Sequence, residues 1–232
     1  MQNTSVTYKA LLAAGAPKEV RVIIAGTTYT QASIMSASVS AAVESEAATV
    51  GNTVAKTLNL VLRNPGEIPR MARIEVQYRL NDGTTQSEWI PKGTYFIDTR
   101  DENFAMLSIV AYDAMLKADQ PYATSGDQGG WPKTDLAVAQ EIAQRIGVTL
   151  DPRTVALMTN AYQVQYPGYG EDGYTMREVL GYIGSMYAGN WIITDQDTLR
   201  LLEMGDLPSL ETNYLVTETG DYIIIGGYRI IV

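Results

Sequence analysis

The chain has 232 residues, 46% of them hydrophobic, which suits one large or two modest domains around a buried core and does not suit a disordered chain. It contains no cysteine and no histidine, which excludes disulfides, thiolate and histidine-based catalysis and Cys- or His-bearing zinc sites, and leaves an enzyme only carboxylate, Lys or Tyr chemistry. A net charge of −9, from 17 basic and 26 acidic residues, predicts a surface that repels nucleic acid and anionic membranes.

The first residues, "MQNTSVTYKALLAAGAPKE", lack the basic start and apolar core of a signal peptide, and no apolar run reaches the roughly 18–20 residues of a membrane helix. A soluble protein made in a cytoplasm, without a membrane anchor, is expected. Within residues 1–16, Tyr8, Leu11 and Leu12 share the face of a short predicted helix. From Pro17 the pattern turns to β. "EVRVIIAG" reads as a strand with a turn at Gly26, and "ASIMSASVSA" as a small-residue strand marked by Ile34, Ala37 and Val39. "AKTLNLVLR" sets Leu58, Leu60 and Leu62 on one face and Thr57, Asn59 and Val61 on the other. After the break "NPGEIP", Ile74, Val76, Tyr78 and Leu80 alternate up to a turn at Asn81-Asp82-Gly83. Two further strands follow, around a polar turn predicted at Arg100 to Asn103. About six short strands in the first ~115 residues fit a sandwich or barrel.

Past Tyr122 the Gly-rich stretch "ATSGDQGGWP" reads as a linker. A first helix is predicted over "TDLAVAQEIAQRIG", capped by Thr134, with Leu136, Ala139, Ile142, Ala143 and Ile146 on one face and Gly147 at its end. A second is predicted over "TMREVLGYIGSMYAG". Thr175 and Glu178 stand at capping-box spacing, Met176, Val179, Leu180, Ile183 and Tyr187 form the stripe, and Gly189 is the expected terminator. "NWIIT" and "TLRLLE" form a hairpin through Asp195-Gln196-Asp197, and a later hairpin turn is expected at Gly226-Gly227. The chain stops inside an apolar strand, as would a paired terminal strand or a chain cut from something longer. The expected fold class is α+β, mainly β, with an N-terminal domain over 1–122, a small α+β domain over 123–206, and returning strands over 207–232.

Each candidate site has a plain structural explanation beside it. Asp113 sits where a strand gives way to "AMLKA", the place of a helix cap, and Asp119 lies just past the last turn, so both read as structural rather than as an acid/base pair. Asp195 and Asp197 form a D-x-D pair, but a polar turn explains them and a calcium loop would need more oxygen ligands. Gly-rich "GDQGGW" matches no phosphate-binding fingerprint, and Trp89, Trp131 and Trp191 read as packing residues. The segment 163–175 is unusual. Tyr166, Tyr169 and Tyr174 stand among glycines with Glu171 and Asp172, and suit either recognition of protein or sugar, or packing of the loop on its own domain.

The order of the blocks "IMSASVSAAVESEAATVGNTVAKTLNLVLR", "SEWIPKGTYFID", "AYDAMLKADQPY" and "TMREVLGYIGSMYAGNWIITDQDTLRLLE" resembles tail hub (tail-associated, baseplate hub) proteins of phages and prophages of Gram-positive bacteria. The resemblance runs from about residue 20 to 232. It implies a tail-tube-like β-barrel, an inserted α+β domain, and the start of a second barrel in "NYLVTETGDYIIIGGYRIIV". It further implies a homotrimeric ring that closes the tail tube at the tail tip of a virion assembled in the host cytoplasm. The implied partners are the tail tube, the tape-measure protein, the distal tail protein, and tail fibre or receptor-binding proteins. No cofactor, metal or enzymatic activity is implied, and DNA would pass through the lumen without specific binding. The alternative is a receptor- or cell-wall-binding module using the Tyr-rich loop.

Overall fold

A computed structural model describes residues 4–41, 50–63, 65–70, 72–123, 130–168, 173–203, 224–225 and 228–229. Helix α1 (Val6–Ala13) is capped by Ser5, whose hydroxyl accepts the Tyr8 amide, and buries Tyr8 and Leu11. Leu12, expected on that face, is 53% exposed. Eight strands follow: β1 (Lys18–Ile24), β2 (Thr27–Tyr29), β3 (Ile34–Ser40), β4 (Thr53–Val54), β5 (Thr57–Arg63), β6 (Arg73–Leu80), β7 (Ile90–Asn103) and β8 (Met106–Tyr112).

All but β4 form one antiparallel sheet in the order β2-β1-β6-β7-β8-β5-β3. Its edges, β2 and β3, do not pair with one another, so the sheet is an open, curled half-barrel. Irregular registers at Ile34/Ser36, Glu75/Gln77 and Ile97/Thr99 are the kind of bulge that bends strands. The inner face is the one set by alternation: Leu58, Leu60, Leu62, Ile74 and Val76 are buried together with Val22, Ile24, Tyr95, Leu107 and Ile109. The β1–β2 turn uses Ala25 and Gly26, both at positive φ, as a two-residue hairpin requires. The polar turn expected at Arg100–Asn103 is instead strand. Register continues to Asn103↔Met106, and the chain reverses at Phe104-Ala105. The charged residues of β7 can continue the strand because they are exposed, while the buried positions opposite them are supplied by Leu107 and Ile109 of β8, which is still paired with β5.

Beyond β8 comes a 3-10 helix, Ala114–Asp119. Then follow β9 (Lys133–Thr134), α2 (Asp135–Ile146), β10 (Thr149–Leu150), α3 (Pro152–Leu157), β11 (Gln163–Val164), α4 (Met176–Met186), β12 (Gly189–Ile193) and β13 (Thr198–Glu203). Helices α2 and α4, the 3-10 helix and the β12–β13 hairpin enclose a second core containing Met115, Tyr122, Ile142, Leu180 and Trp191. Helix α2 starts at Thr134, whose hydroxyl accepts the Ala137 amide, and ends at Gly147 in the left-handed region. Thr175 and Glu178 form a reciprocal capping box on α4. Gly189, expected to terminate α4, instead begins β12; the positive φ falls on Ala188. A Cβ at Gly189 would stand 2.6 Å from the Leu202 carbonyl oxygen, so glycine serves strand packing there. Near the C-terminus β14 (Ile224–Ile225) pairs antiparallel with β15 (Tyr228–Arg229). The expected turn residues Gly226-Gly227, most of the "ATSGDQGGWP" linker and most of the expected second-barrel start lie outside the described residues.

Candidate functional site

The two cores meet along a polar seam that holds most of the carboxylates singled out in the sequence. Strand β4, from the N-terminal half, pairs in parallel with β12, and so joins a sheet of order β10-β13-β12-β4. The approach is close. Gly51 donates its amide to the Gly189 carbonyl (2.9 Å), and a Cβ on Gly51 would lie 2.8 Å from the Gly181 carbonyl oxygen.

Asp113 is the pivot of the seam. One carboxylate oxygen accepts the Met115 amide (3.0 Å), which caps the 3-10 helix, and the other accepts the Lys56 amide (3.0 Å) at the start of β5. Burial pushes its pKa up to about 6, against the two amide hydrogen bonds that favour the anion. Asp119 pairs with Arg177, whose Nη1 and Nη2 also reach the Thr53 carbonyl (2.7 Å) and the Met115 carbonyl (2.9 Å). Both carboxylates are thus committed to holding backbone or a guanidinium.

The D-x-D pair does more than turn a hairpin. Asp195 bridges Lys56 Nζ (2.6 Å) and Lys92 Nζ (3.0 Å), and Asp197 accepts the amide (2.9 Å) and hydroxyl (2.6 Å) of Thr94. The β12–β13 turn is thereby fastened to β5 and β7 of the large sheet. Partial burial raises the pKa of Asp195, but hydrogen bonds and charge from Lys56 and Lys92 outweigh it and leave the group below its ordinary value. The sequence offered no signal for this clamp, because Lys56, Lys92 and Thr94 lie about a hundred or more positions away. Asp135, also unforeseen, is fully buried at the start of α2 and accepts the Tyr187 hydroxyl at 2.5 Å. Among the described residues no three acidic side chains cluster as metal ligands, and no helix is long and apolar enough to cross a membrane.

The Tyr-rich loop divides between its two readings. Tyr166 packs edge-on against Trp131, with centroids 5.8 Å apart, and Trp131 packs in the same way on buried Tyr122. Tyr174 instead stacks edge-on against Tyr182 (5.3 Å) and is 42% exposed. Tyr166, Tyr174, Tyr182, Ile183 and Met186 help line a largely apolar groove of about 230 Å³ along α4. Tyr169, Glu171 and Asp172 lie outside the described residues. Trp89 is held between the Arg21 and Arg79 guanidinium groups, at 4.2 and 4.6 Å from its ring centre. Trp191 is fully buried and donates to the Leu180 carbonyl.

A second recess lies on the seam itself. About 530 Å³ in volume, it is lined by Lys56, Lys92, Arg153 and Arg200 against one acid, Asp195, with Val39 and Ile192 among its apolar walls.

The fold is similar to that of a solved tail protein. The chain matches the 43 kDa tail protein of prophage MuSo2 from Shewanella oneidensis with a TM-score of 0.53 at 14% identity, over 89% of this chain and 61% of that one. A tail protein from Neisseria meningitidis MC58 also matches, with a TM-score of 0.48 at 16% identity, over 79% of this chain and 51% of that one. At such identity the likeness is one of fold. The chain spans less than two thirds of the length of either structure. No protein-family model matches the chain, and no curated protein does.

Proposed function

We propose that the protein is a structural subunit of a phage or phage-like tail. In finer terms, it is a tail hub whose copies form a trimeric ring that closes the tail tube at the tail tip. The carrying observation is the shared fold with the MuSo2 tail protein over 89% of the chain. The motif order of the sequence, which resembles tail hubs, supports it independently. The carboxylates nominated for chemistry fit this reading, since they are engaged by backbone amides, an arginine and lysines.

On this reading the ring seats the tape-measure protein and the tail tube on one side and the distal tail and receptor-binding proteins on the other. DNA passes through its lumen without specific contacts, which suits a chain of net charge −9. The protein acts by assembly, without catalysis. Light scattering of the purified chain followed by negative-stain imaging tests this. A trimer with a central hole is the expected result, and a compact monomer at all concentrations overturns the ring.

The groove along α4 favours a second reading, a saccharide- or receptor-binding surface. Exposed tyrosines that offer both a ring face and a hydroxyl suit such ligands. Retention of the chain on host cell-wall saccharide, lost in Tyr182→Ala, would favour it.

A further inference from the structure

The hairpin of β7 and β8, whose second strand is paired with β5 as far as Met106, ends in an unusual tip. Asp98, Asp101 and Glu102 are exposed along it, with Arg100 as the one intervening cation. At the apex Phe104 has a positive φ of 53° and is fully exposed, and Met106 is 48% exposed. A phenylalanine in the left-handed region gains nothing there from its own chain. It costs conformational energy and leaves a large apolar ring in water, a combination that marks a contact surface.

The basic recess on the seam has the complementary character. Four cations and one carboxylate line it, together with apolar Val39 and Ile192. Lys56 and Lys92 already share Asp195, and Arg153 is paired with Asp151 at 2.6 Å. The recess as a whole still carries a positive excess in a strongly acidic chain.

Tip and recess lie at opposite ends of the same strand. Lys92 is near the start of β7 and Asn103 is its last residue. Eleven steps at about 3.3 Å make a separation of roughly 35 Å, so a chain cannot seat its own tip in its own recess.

We propose that the β7–β8 tip of one copy docks in the Lys56/Lys92/Arg153/Arg200 recess of the next. Phe104 lies against the apolar wall, and Asp101 and Glu102 meet the basic rim. Such a contact is head-to-tail. Repeated, it closes into a ring when the rotation between copies closes. The inference rests on the reading of the chain as a self-assembling ring subunit, and names the contact that builds it.

The absence of native cysteine makes the test direct. Full-length Phe104→Cys and Gln196→Cys variants are mixed and treated with a short bismaleimide. Gln196 is exposed at the mouth of the recess. The mixture should give a cross-linked heterodimer well above the homodimers formed by either variant alone. Asp101→Lys/Glu102→Lys in the Phe104→Cys copy should lower the yield at least about tenfold, as loss of complementary charge predicts, and Lys92→Ala in the Gln196→Cys copy should lower it in the same direction. The arm substitutions are at exposed positions, so the folded state is retained and is checked by circular dichroism. A heterodimer yield no greater than that of the homodimers, or one indifferent to the arm charges, overturns the contact. The oligomeric mass of the unmodified chain separates the two failures. A trimer without the cross-link means a ring built through another surface, and a monomer without it removes the ring reading as well.

Discussion

The half-barrel and the α+β unit are stabilised by different kinds of information. In the sheet, each strand buries an alternating face, and its neighbours are fixed by register over long sequence distances, as when β1 pairs with β6 and β3 with β5. In the α+β unit, caps and helical stripes act within a few residues, as at Thr134, Gly147 and the Thr175–Glu178 box. What binds the two is the short pairing of β4 with β12 together with side-chain contacts that neither pattern announces. Those contacts are buried or half-buried and polar, and run through Asp113, Asp195, Asp197 and Arg177. The lesson is that the seam is both the least legible part of the molecule and the part where one substitution reaches both cores.

The largest expected effect tests whether the cores unfold together. Trp191→Ala should cost about 3–5 kcal/mol and Leu60→Ala about 2–5 kcal/mol, since each empties a fully buried site. Urea unfolding followed by circular dichroism should show one transition shifted in both variants. Two separate transitions would show that the seam couples the cores weakly.

Next comes the pivot. Asp113→Ala strips the buried Lys56 and Met115 amides of their acceptor and should cost about 2–4 kcal/mol. Asp195→Ala, which leaves Lys56 and Lys92 without their shared partner, should cost about 1–3 kcal/mol. If Asp195→Ala proves neutral, the lysine clamp contributes nothing net and the seam is held by its other contacts, among them Asp197 with Thr94 and the pairing of β4 with β12.

The pH dependence separates these two aspartates. Asp113 has a folded pKa of about 6, above its unfolded value. Its contribution to stability is complete below the unfolded value near 4 and is lost as pH rises through about 6. Asp195 is shifted the other way, so its contribution is present above about 4 and is lost as pH falls through its lowered folded value. Unfolding free energies measured from pH 3 to 8 should therefore decline between about 4 and 6 by a component absent in Asp113→Asn, and fall again on the acid side by a component absent in Asp195→Asn.

The smallest effects lie at the periphery. Thr175→Ala should cost about 1 kcal/mol through loss of the capping box, and Tyr182→Ala should change stability by less than about 0.5 kcal/mol. A larger loss for Tyr182→Ala would mean that the exposed Tyr174–Tyr182 pair supports the fold rather than a ligand surface.

Much of the α+β unit was legible in the sequence because its signals are local. Thr134, Gly147 and Thr175 act on amides and carbonyls within four residues of themselves, and alternation at Leu58, Leu60 and Leu62 needs no partner to reveal its buried face. Local signals mislead at the β7–β8 hairpin, where the charge at Arg100–Asn103 suggests a turn although strand pairing continues to Asn103. They mislead again at Gly189, where a strand needed a missing Cβ and a helix end did not.

The sequence by itself determined which residues avoid water and where helices begin, because periodicity and capping are properties of neighbouring residues. Only the tertiary structure decided that Asp195 and Asp197 would clamp a distant sheet, that Tyr166 would pack inward while Tyr174 faces out, and that a basic recess would stand a strand's length from an acidic, Phe-tipped arm. Those facts depend on which segments meet in space, and the choice among many polar partners is made by the packing of the cores beneath them.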